Sequence, residues 1–323
     1  MEPVIAVHGG AGDWRVVFEA ASRWGLVLNE DLVLDAVRGA ALEGLKVLEA
    51  GGSALDAVVE AVRYMEDSGV FNAGVGSALD ASGGISMDAG VMYSEGPRAG
   101  AVASVTYPRN PVVLARRVME LSDHVILCCG PADRLAQRLG LPRHPGPSPR
   151  ARALWSLIKE RLESGEPPSW WRRSPLAARL LAVGDTVGAV AVDSRGRLAA
   201  AVSTGGVTYK LPGRIGDSPV PGAGFYATPQ AAAAATGVGE AILLSGLTLR
   251  AVLLVSTGIP AAEAGSAALA AMKAMTGLGG GLVIVGRGGE AAALFNTASM
   301  PHAIAAPGLA EPIAGIWKPT TYP

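Results

Sequence analysis

Only two of the 323 residues are cysteine, and they are neighbours, Cys128 and Cys129. Adjacent cysteines pair only with strain, and no others exist to build a disulfide framework. The run Val125-Ile126-Leu127-Cys128-Cys129 reads instead as a buried strand in which both thiols act as small apolar residues. Histidine is equally sparse: His8, His124, His144 and His302 are scattered without metal-ligand spacing, and there is no His-Glu-x-x-His or Cys-x-x-Cys. Charged residues make up 17%, the formal net charge is -1 and aromatics are 5%. No basic run interleaves with aromatics, which argues against nucleic acid and anionic membrane as partners. No apolar run spans a bilayer uninterrupted, and Met1-Glu2-Pro3 leads into Val4-Ile5-Ala6-Val7 without a secretory signal, so the expectation is a soluble, cytoplasmic protein. A Gly-x-Ser-x-Gly elbow is missing, and Leu282 stands where Gly277-Leu278-Gly279-Gly280-Gly281 would need its last dinucleotide-fingerprint glycine.

What the chain has in quantity is apolar residues, 50%, and glycine, 43 residues with several doublets. Such a chain buries a large core, and glycine doublets suit tight turns and close backbone approach to a ligand. Val4 to Val7 reads as a strand running into His8-Gly9-Gly10-Ala11-Gly12. Helical spacing covers Glu30 to Ala50, and Ser53 with Asp56 forms a capping box for the next helix. Further on, Gly100 to Val105 reads as a strand, Pro111 to Leu121 as a helix, His124 to Cys129 as a strand and Ala132 to Leu139 as a helix. From Pro142 to about Pro175 the chain is rich in proline and arginine, with one possible helix near Arg152 to Leu162, and reads as an exposed mobile linker. Val187 to Val192 and Leu198 to Ser203 form a hairpin across Ser194-Arg195-Gly196. A Gly/Pro loop spans Leu211 to Gly224, alanine-rich helices fit Pro229 to Ser245 and Pro260 to Met275, and strands fit Gly281 to Gly286, Ala291 to Asn296 and Ala303 to Ala306. Strands grouped in hairpins and flanked by helices predict stacked sheets covered by helix layers, an α+β fold without an alternating parallel sheet.

The chemistry concentrates around Gly184-Asp185-Thr186-Val187-Gly188, where a threonine stands just ahead of a strand of small residues, with Thr204 one hairpin later in Ser203-Thr204-Gly205-Gly206. A threonine hydroxyl is a weak nucleophile unless a base is held beside it. One economical base is the residue's own α-amine, which exists only if the chain is cut before Thr186; the residues therefore suggest a self-cleaving precursor. Downstream, Arg214 and Asp217 lie three apart in Leu211-Pro212-Gly213-Arg214-Ile215-Gly216-Asp217-Ser218-Pro219. A guanidinium fork matches a carboxylate and an aspartate accepts from an ammonium, so the pair can grip the α-groups of an amino acid.

With Phe71-Asn72-Ala73-Gly74-Val75-Gly76 and Thr236-Gly237-Val238-Gly239-Glu240, these blocks resemble the plant-type L-asparaginase/isoaspartyl peptidase family, N-terminal nucleophile hydrolases with a threonine nucleophile. The resemblance implies a four-layer αββα sandwich, cut into an α-subunit of residues 1–185, whose tail is the linker of about 142–185, and a β-subunit of 186–323. Two such pairs would form a dimer. It makes Thr186 the nucleophile and Thr204 its orienting neighbour. Thr236 and the Gly237 N–H become the oxyanion hole, and Asn72 lies near the nucleophile. Arg214 becomes the α-carboxylate ligand and Asp217 the α-amine ligand, with Gly237 and Gly239 completing the substrate set. It implies no organic cofactor, and a sodium ion held by backbone carbonyls of the Met65 to Val75 loop, at Met65, Glu66, Ser68, Phe71, Ala73 and Val75. The implied reaction is hydrolysis of L-asparagine and isoaspartyl dipeptides through an acyl-threonine. Asp185 stands where many members carry glycine, and Asp-Thr at the cut is closer to aspartylglucosaminidases, which makes that activity the alternative. A non-catalytic amino-acid binder would not need Thr186, Thr204 and Thr236 together.

Overall fold

The computed structural model describes residues 1–96, 98–163 and 186–323. Thirteen strands among these form two sheets, one ordered β12-β11-β1-β5-β6-β2-β3-β4 and one ordered β13-β10-β9-β8-β7. The centre of the first is β1 (Val4–His8), β5 (Val187–Val192), β6 (Leu198–Thr204) and β2 (Met87–Tyr93), all antiparallel. β3 (Arg98–Val105) and the edge strand β4 (Ile126–Cys128) close one side as the single parallel pair, and β11 (His302–Ala305) and β12 (Ile313–Gly315) the other. The second sheet is β7 (Phe225–Ala227), β8 (Ala231–Gly237), β9 (Gly280–Gly286), β10 (Ala291–Phe295) and β13 (Thr320–Tyr322).

Alternation along these strands sorts their residues into three apolar layers. Val4, Ala6, Val190, Ala200, Val202, Phe225, Ala232, Ala234 and Val283 pack between the sheets. Ile5, Val7, Val187, Ala189 and Ala201 face outward from the first sheet onto α2 (Glu30–Glu49), α3 (Ala54–Ser68) and α4 (Pro111–Leu121). Ala231, Ala233, Ala235, Leu282 and Ile284 face outward from the second onto helices at Leu247–Ser256 and Ala261–Thr276. The central strands are thus buried on both faces, which explains why they read as continuous small and apolar runs. The capping box at Ser53 and Asp56 forms as expected, and Asp193 at the end of β5 accepts from Ala54 N at 3.1 Å, tying α3 to the central hairpin.

Three local expectations are corrected. The alanine run after Pro229 is not helical: Ala231–Gly237 is an inner strand of the second sheet, between β7 and β9, and only Gly239–Ser245 is helix. Alanine has the highest intrinsic helix propensity, but this segment is apolar on both faces and pairs between two strands, and burial in the sheet wins. Cys128 and Cys129 are exposed because β4 is a three-residue edge strand, and the following helix, α5 (Cys129–Arg138), begins at Cys129 itself. The segment from Pro142 to Glu163 is not an exposed linker. His144 Nε2 donates to Gly74 O at 2.8 Å, and α6 (Pro149–Glu163) buries Ala151, Ala153 and Ile158, with Ala153 and Leu154 beside Val17 and Trp24 of the α1 region (α1, Trp14–Arg23). The rest of that segment, including Asp185, lies outside the described residues.

Candidate active site

Strand register assembles the site. Val187 pairs with Ser203 in β5–β6, so one step further Thr186 stands opposite Thr204, and Thr204 in turn pairs with Asp88 on β2. By alternation from Val190 and Val202, both threonines face the space between the sheets. Thr236 at the end of β8 shares that parity with Ala232 and Ala234. β8 crosses directly over β5: a Cβ at Gly188 would stand 3.0 Å from the Ala234 methyl. Thr186, Thr204 and Thr236 are all buried, Thr186 keeping 7% of its surface.

The hydroxyls are oriented before any substrate arrives. Thr204 Oγ1 accepts from Gly206 N at 2.9 Å and Thr236 Oγ1 accepts from Ala11 N at 3.0 Å, so each has its own hydrogen left to donate. Asn72 clamps the turn behind Thr204: its Nδ2 donates to Gly206 O at 2.6 Å, its Oδ1 accepts from Ala78 N at 2.7 Å and its carbonyl accepts from Gly205 N at 2.9 Å. Gly237 has φ +128, and a Cβ there would meet Gly280 Cα at 2.7 Å, so the backbone beside Thr236 admits only glycine.

Arg214 and Asp217 converge on Gly239, where an added Cβ would stand 2.6 Å from Arg214 Nη2 and 2.7 Å from Asp217 Oδ1. Asp217 is 5% exposed and its Oδ2 has no hydrogen-bond partner among the described residues. Burial pushes its carboxyl up to about 7, against the pull of Arg214. A cation brought to Asp217 would relieve both conditions. Arg214 Nε donates at 2.9 Å to Glu240, whose carboxylate is half exposed.

Two buried groups escaped the sequence reading. His8 lies on β1 in register with Gly188 and against the Thr186 backbone, with His302 paired across the next strand. Burial lowers its pKa to about 3, so it is a feeble base at neutral pH despite its position. Lys210 is 3% exposed and donates to Ser86 O at 2.8 Å. Its only local signal is a lone lysine just ahead of the Gly/Pro loop. Met65, Glu66 and Ser68 form the last turn of α3, whose final carbonyls have no intrahelical partner. Met65 O takes the Ser68 hydroxyl at 2.7 Å, Ala73 O takes Gly76 N at 3.1 Å, and a Cβ added at Gly76 would run into the carbonyl oxygens of Phe71 and Gly69. Val75 sits within the short 3-10 turn Gly74–Gly76.

Against known proteins, the family described as asparaginase matches residues 1–311. A plant-type L-asparaginase of Pyrobaculum calidifontis is 45% identical over 308 residues, covering 94% of this chain and 97% of the relative. A plant-type L-asparaginase of Pyrococcus abyssi is 38% identical, covering 97% and 99%. An isoaspartyl peptidase/L-asparaginase of Mus musculus is 42% identical, covering 93% and 87%. The chain belongs to the asparaginase family and is a hydrolase.

His8 supplies a pH test. The unfolded chain protonates it below about 6.5 and the folded chain only near 3, so folding stability is greatest above that window and falls as pH drops through it. This one group should cost about 1.4 kcal/mol per pH unit. Urea unfolding at pH 6.5 and 4.5 should therefore show a flatter pH dependence in His8→Gln than in the wild type. Equal slopes would mean that His8 takes up a proton freely in the fold.

Proposed function

We propose that the chain matures by cutting itself between Asp185 and Thr186 and then hydrolyses β-aspartyl amides, L-asparagine to L-aspartate and ammonia, and isoaspartyl dipeptides to aspartate and an amino acid. The observation that carries this reading is the row Thr186–Thr204, set by β5–β6 register on the inter-sheet face, with the Arg214–Asp217 pair open toward Gly239. The family's relatives bear those activities in their names.

In the precursor, Thr186 Oγ attacks the Asp185 carbonyl; the acyl group shifts from nitrogen to oxygen, and water opens the ester. This frees an α-amine whose ordinary pKa is about 7.7–8.0, a base poised near neutrality. Substrate binds with its α-carboxylate on Arg214, displacing Glu240. That exposed pair is worth little, so exchange is cheap. The substrate ammonium meets Asp217 Oδ2 and brings that carboxyl back to its ionised form. The amine then takes the Thr186 Oγ proton as oxygen attacks the β-carbonyl. Thr236 Oγ and Gly237 N–H receive the oxyanion, a donor being worth roughly 3–4 kcal/mol. The amine passes its proton to the departing nitrogen and the carbon–nitrogen bond breaks. Water, deprotonated by the same amine, clears the aspartyl ester.

The proposal extends to a four-layer αββα sandwich of the N-terminal nucleophile type, to mature subunits 1–185 and 186–323 associating as a dimer of pairs, and to a cytoplasmic location. No single described helix is long and apolar enough to cross a membrane. The Met65 to Val75 loop fits sodium in donor chemistry: hard backbone oxygens at the negative end of α3, with second lone pairs free on the carbonyls already bonded. The Asp185-Thr186 dipeptide favours one alternative, aspartylglucosaminidase activity, which a glycosylasparagine assay would reveal.

Thr186→Ala should stay intact and inactive by mass spectrometry and ammonia release; normal cleavage in that variant would sink the mechanism. Arg214→Ala should raise KM for L-asparagine by about tenfold or more while self-cleavage continues. Unchanged KM would remove Arg214 from the carboxylate site. Exchanging sodium for choline at constant ionic strength should lower the melting temperature by several degrees. An identical melt would dismiss the ion.

A further inference from the structure

Lys210 is a buried cation that the mechanism above leaves unused. Its backbone is fixed on both sides: Lys210 N donates to Val207 O at 3.0 Å, and its carbonyl accepts from Ala81 N at 2.8 Å. Tyr209 before it holds a left-handed φ of +67, with Tyr209 N bonded to Leu79 O at 2.6 Å and its ring 5.9 Å from that of Trp155 on α6. Trp155 Nε1 in turn donates to Asp80 O at 2.8 Å. The side chain therefore enters the interior from a seated turn, which lowers the entropy lost in holding a lysine there.

Inside, Nζ donates to Ser86 O and the stem runs along Gly206. A Cβ at Gly206 would stand 2.7 Å from Nζ and 2.9 Å from Cδ. Gly206 is the residue whose N–H bonds Thr204 Oγ1 and whose carbonyl takes Asn72. The charges around Nζ are Asp88 and Asp80, which favour the ammonium, and Arg214, which opposes it; burial lowers its pKa. Asp88 is fully buried in the same strand row as Thr204, accepting from Ser104 N at 2.8 Å and from Gly216 N at 3.4 Å.

We propose that Lys210 is a positioning residue for the hydrolysis: anchored by its ammonium on Ser86 O, its side chain packs against Gly206 and backs the turn that orients the Thr204 hydroxyl toward Thr186. This rests on the reading of Thr186 as nucleophile. Gly206 N occupies one lone pair of Thr204 Oγ1 and so biases its hydrogen toward Thr186; Asn72 grips the Gly206 carbonyl, and the Lys210 side chain packs against the same residue.

Lys210→Met keeps the stem and removes the charge. We expect kcat for L-asparagine to fall by roughly tenfold with KM within about threefold of wild type, the signature of lost transition-state positioning. In a Thr204→Val background the same change should matter by less than about twofold, because the hydroxyl it aims is gone. A kcat within about twofold of wild type, a loss confined to KM, or additive losses in the double variant would overturn the proposal. Should Lys210→Met fail to fold, Lys210→Arg decides: a guanidinium keeps the charge but not the compact fit against Gly206 and Ser86 O, so kcat should again fall with KM kept, and wild-type kcat would overturn it. A wild-type protein that released no ammonia from L-asparagine would sink the reading of the reaction itself. Wild-type turnover with unaffected Lys210 variants would sink the positioning role alone.

Discussion

The antiparallel register of β5 and β6 is the constraint on which the rest depends. A slip of one residue would carry Thr186 or Thr204 from the inter-sheet face to the helix face and put Val187 or Ser203 in its place. That slip is prevented from both sides, because Val190 and Val202 pack between the sheets while Val187, Ala189 and Ala201 pack under α3. Asp193, at the far end of the same hairpin, accepts from Ala54 N, Arg195 N and Arg197 N and locks the turn to the helix above it. Packing on two faces and a polar anchor at one end thus define where two hydroxyls stand at the other.

Around that row, the polar groups are arranged so that few choices remain open. Thr204 and Thr236 each accept one backbone N–H, which turns the hydroxyl and leaves its own hydrogen to donate. Asn72 uses side chain and carbonyl together on a single turn. Where partners are missing, as at Asp217 Oδ2, burial shifts the titration instead, leaving a carboxyl suited to an incoming ammonium. Preorganised donors of this sort require no rearrangement as charge develops.

Much of this was legible in the sequence because it depends on local chemistry. The β1 strand, α2, the capping box on α3, α4 and the β5–β6 hairpin each have a periodicity or capping signal within a few residues. Thr186, Thr204, Arg214, Asp217, Thr236 and Asn72 stood out through glycine-flanked blocks. The failures share one cause. Ala231–Ala235 reads as helix until two buried faces and two flanking strands claim it for the sheet; Cys128 reads as buried until β4 proves to be an edge; and α6 reads as linker until α1 offers it a surface. Each depends on a neighbour far away in the chain.

Residue type and spacing by themselves determined which groups could do chemistry: a threonine ahead of a strand, a second one hairpin on, and an arginine and aspartate in a glycine-rich loop. They also determined the family, because these blocks are contiguous. Only the tertiary structure decided which lone polar residues belong with them. Asp88 and Lys210 carry no local mark, and His8 only a glycine block after it that says nothing of its partners; they reach the threonine row through strand pairing across the first sheet and through a side chain packed against Gly206. Burial then altered what they can do, leaving a histidine too weak to be the base and a lysine whose ammonium is committed to Ser86 O. Both effects follow from low exposure, a property of the packed chain that no stretch of it contains alone.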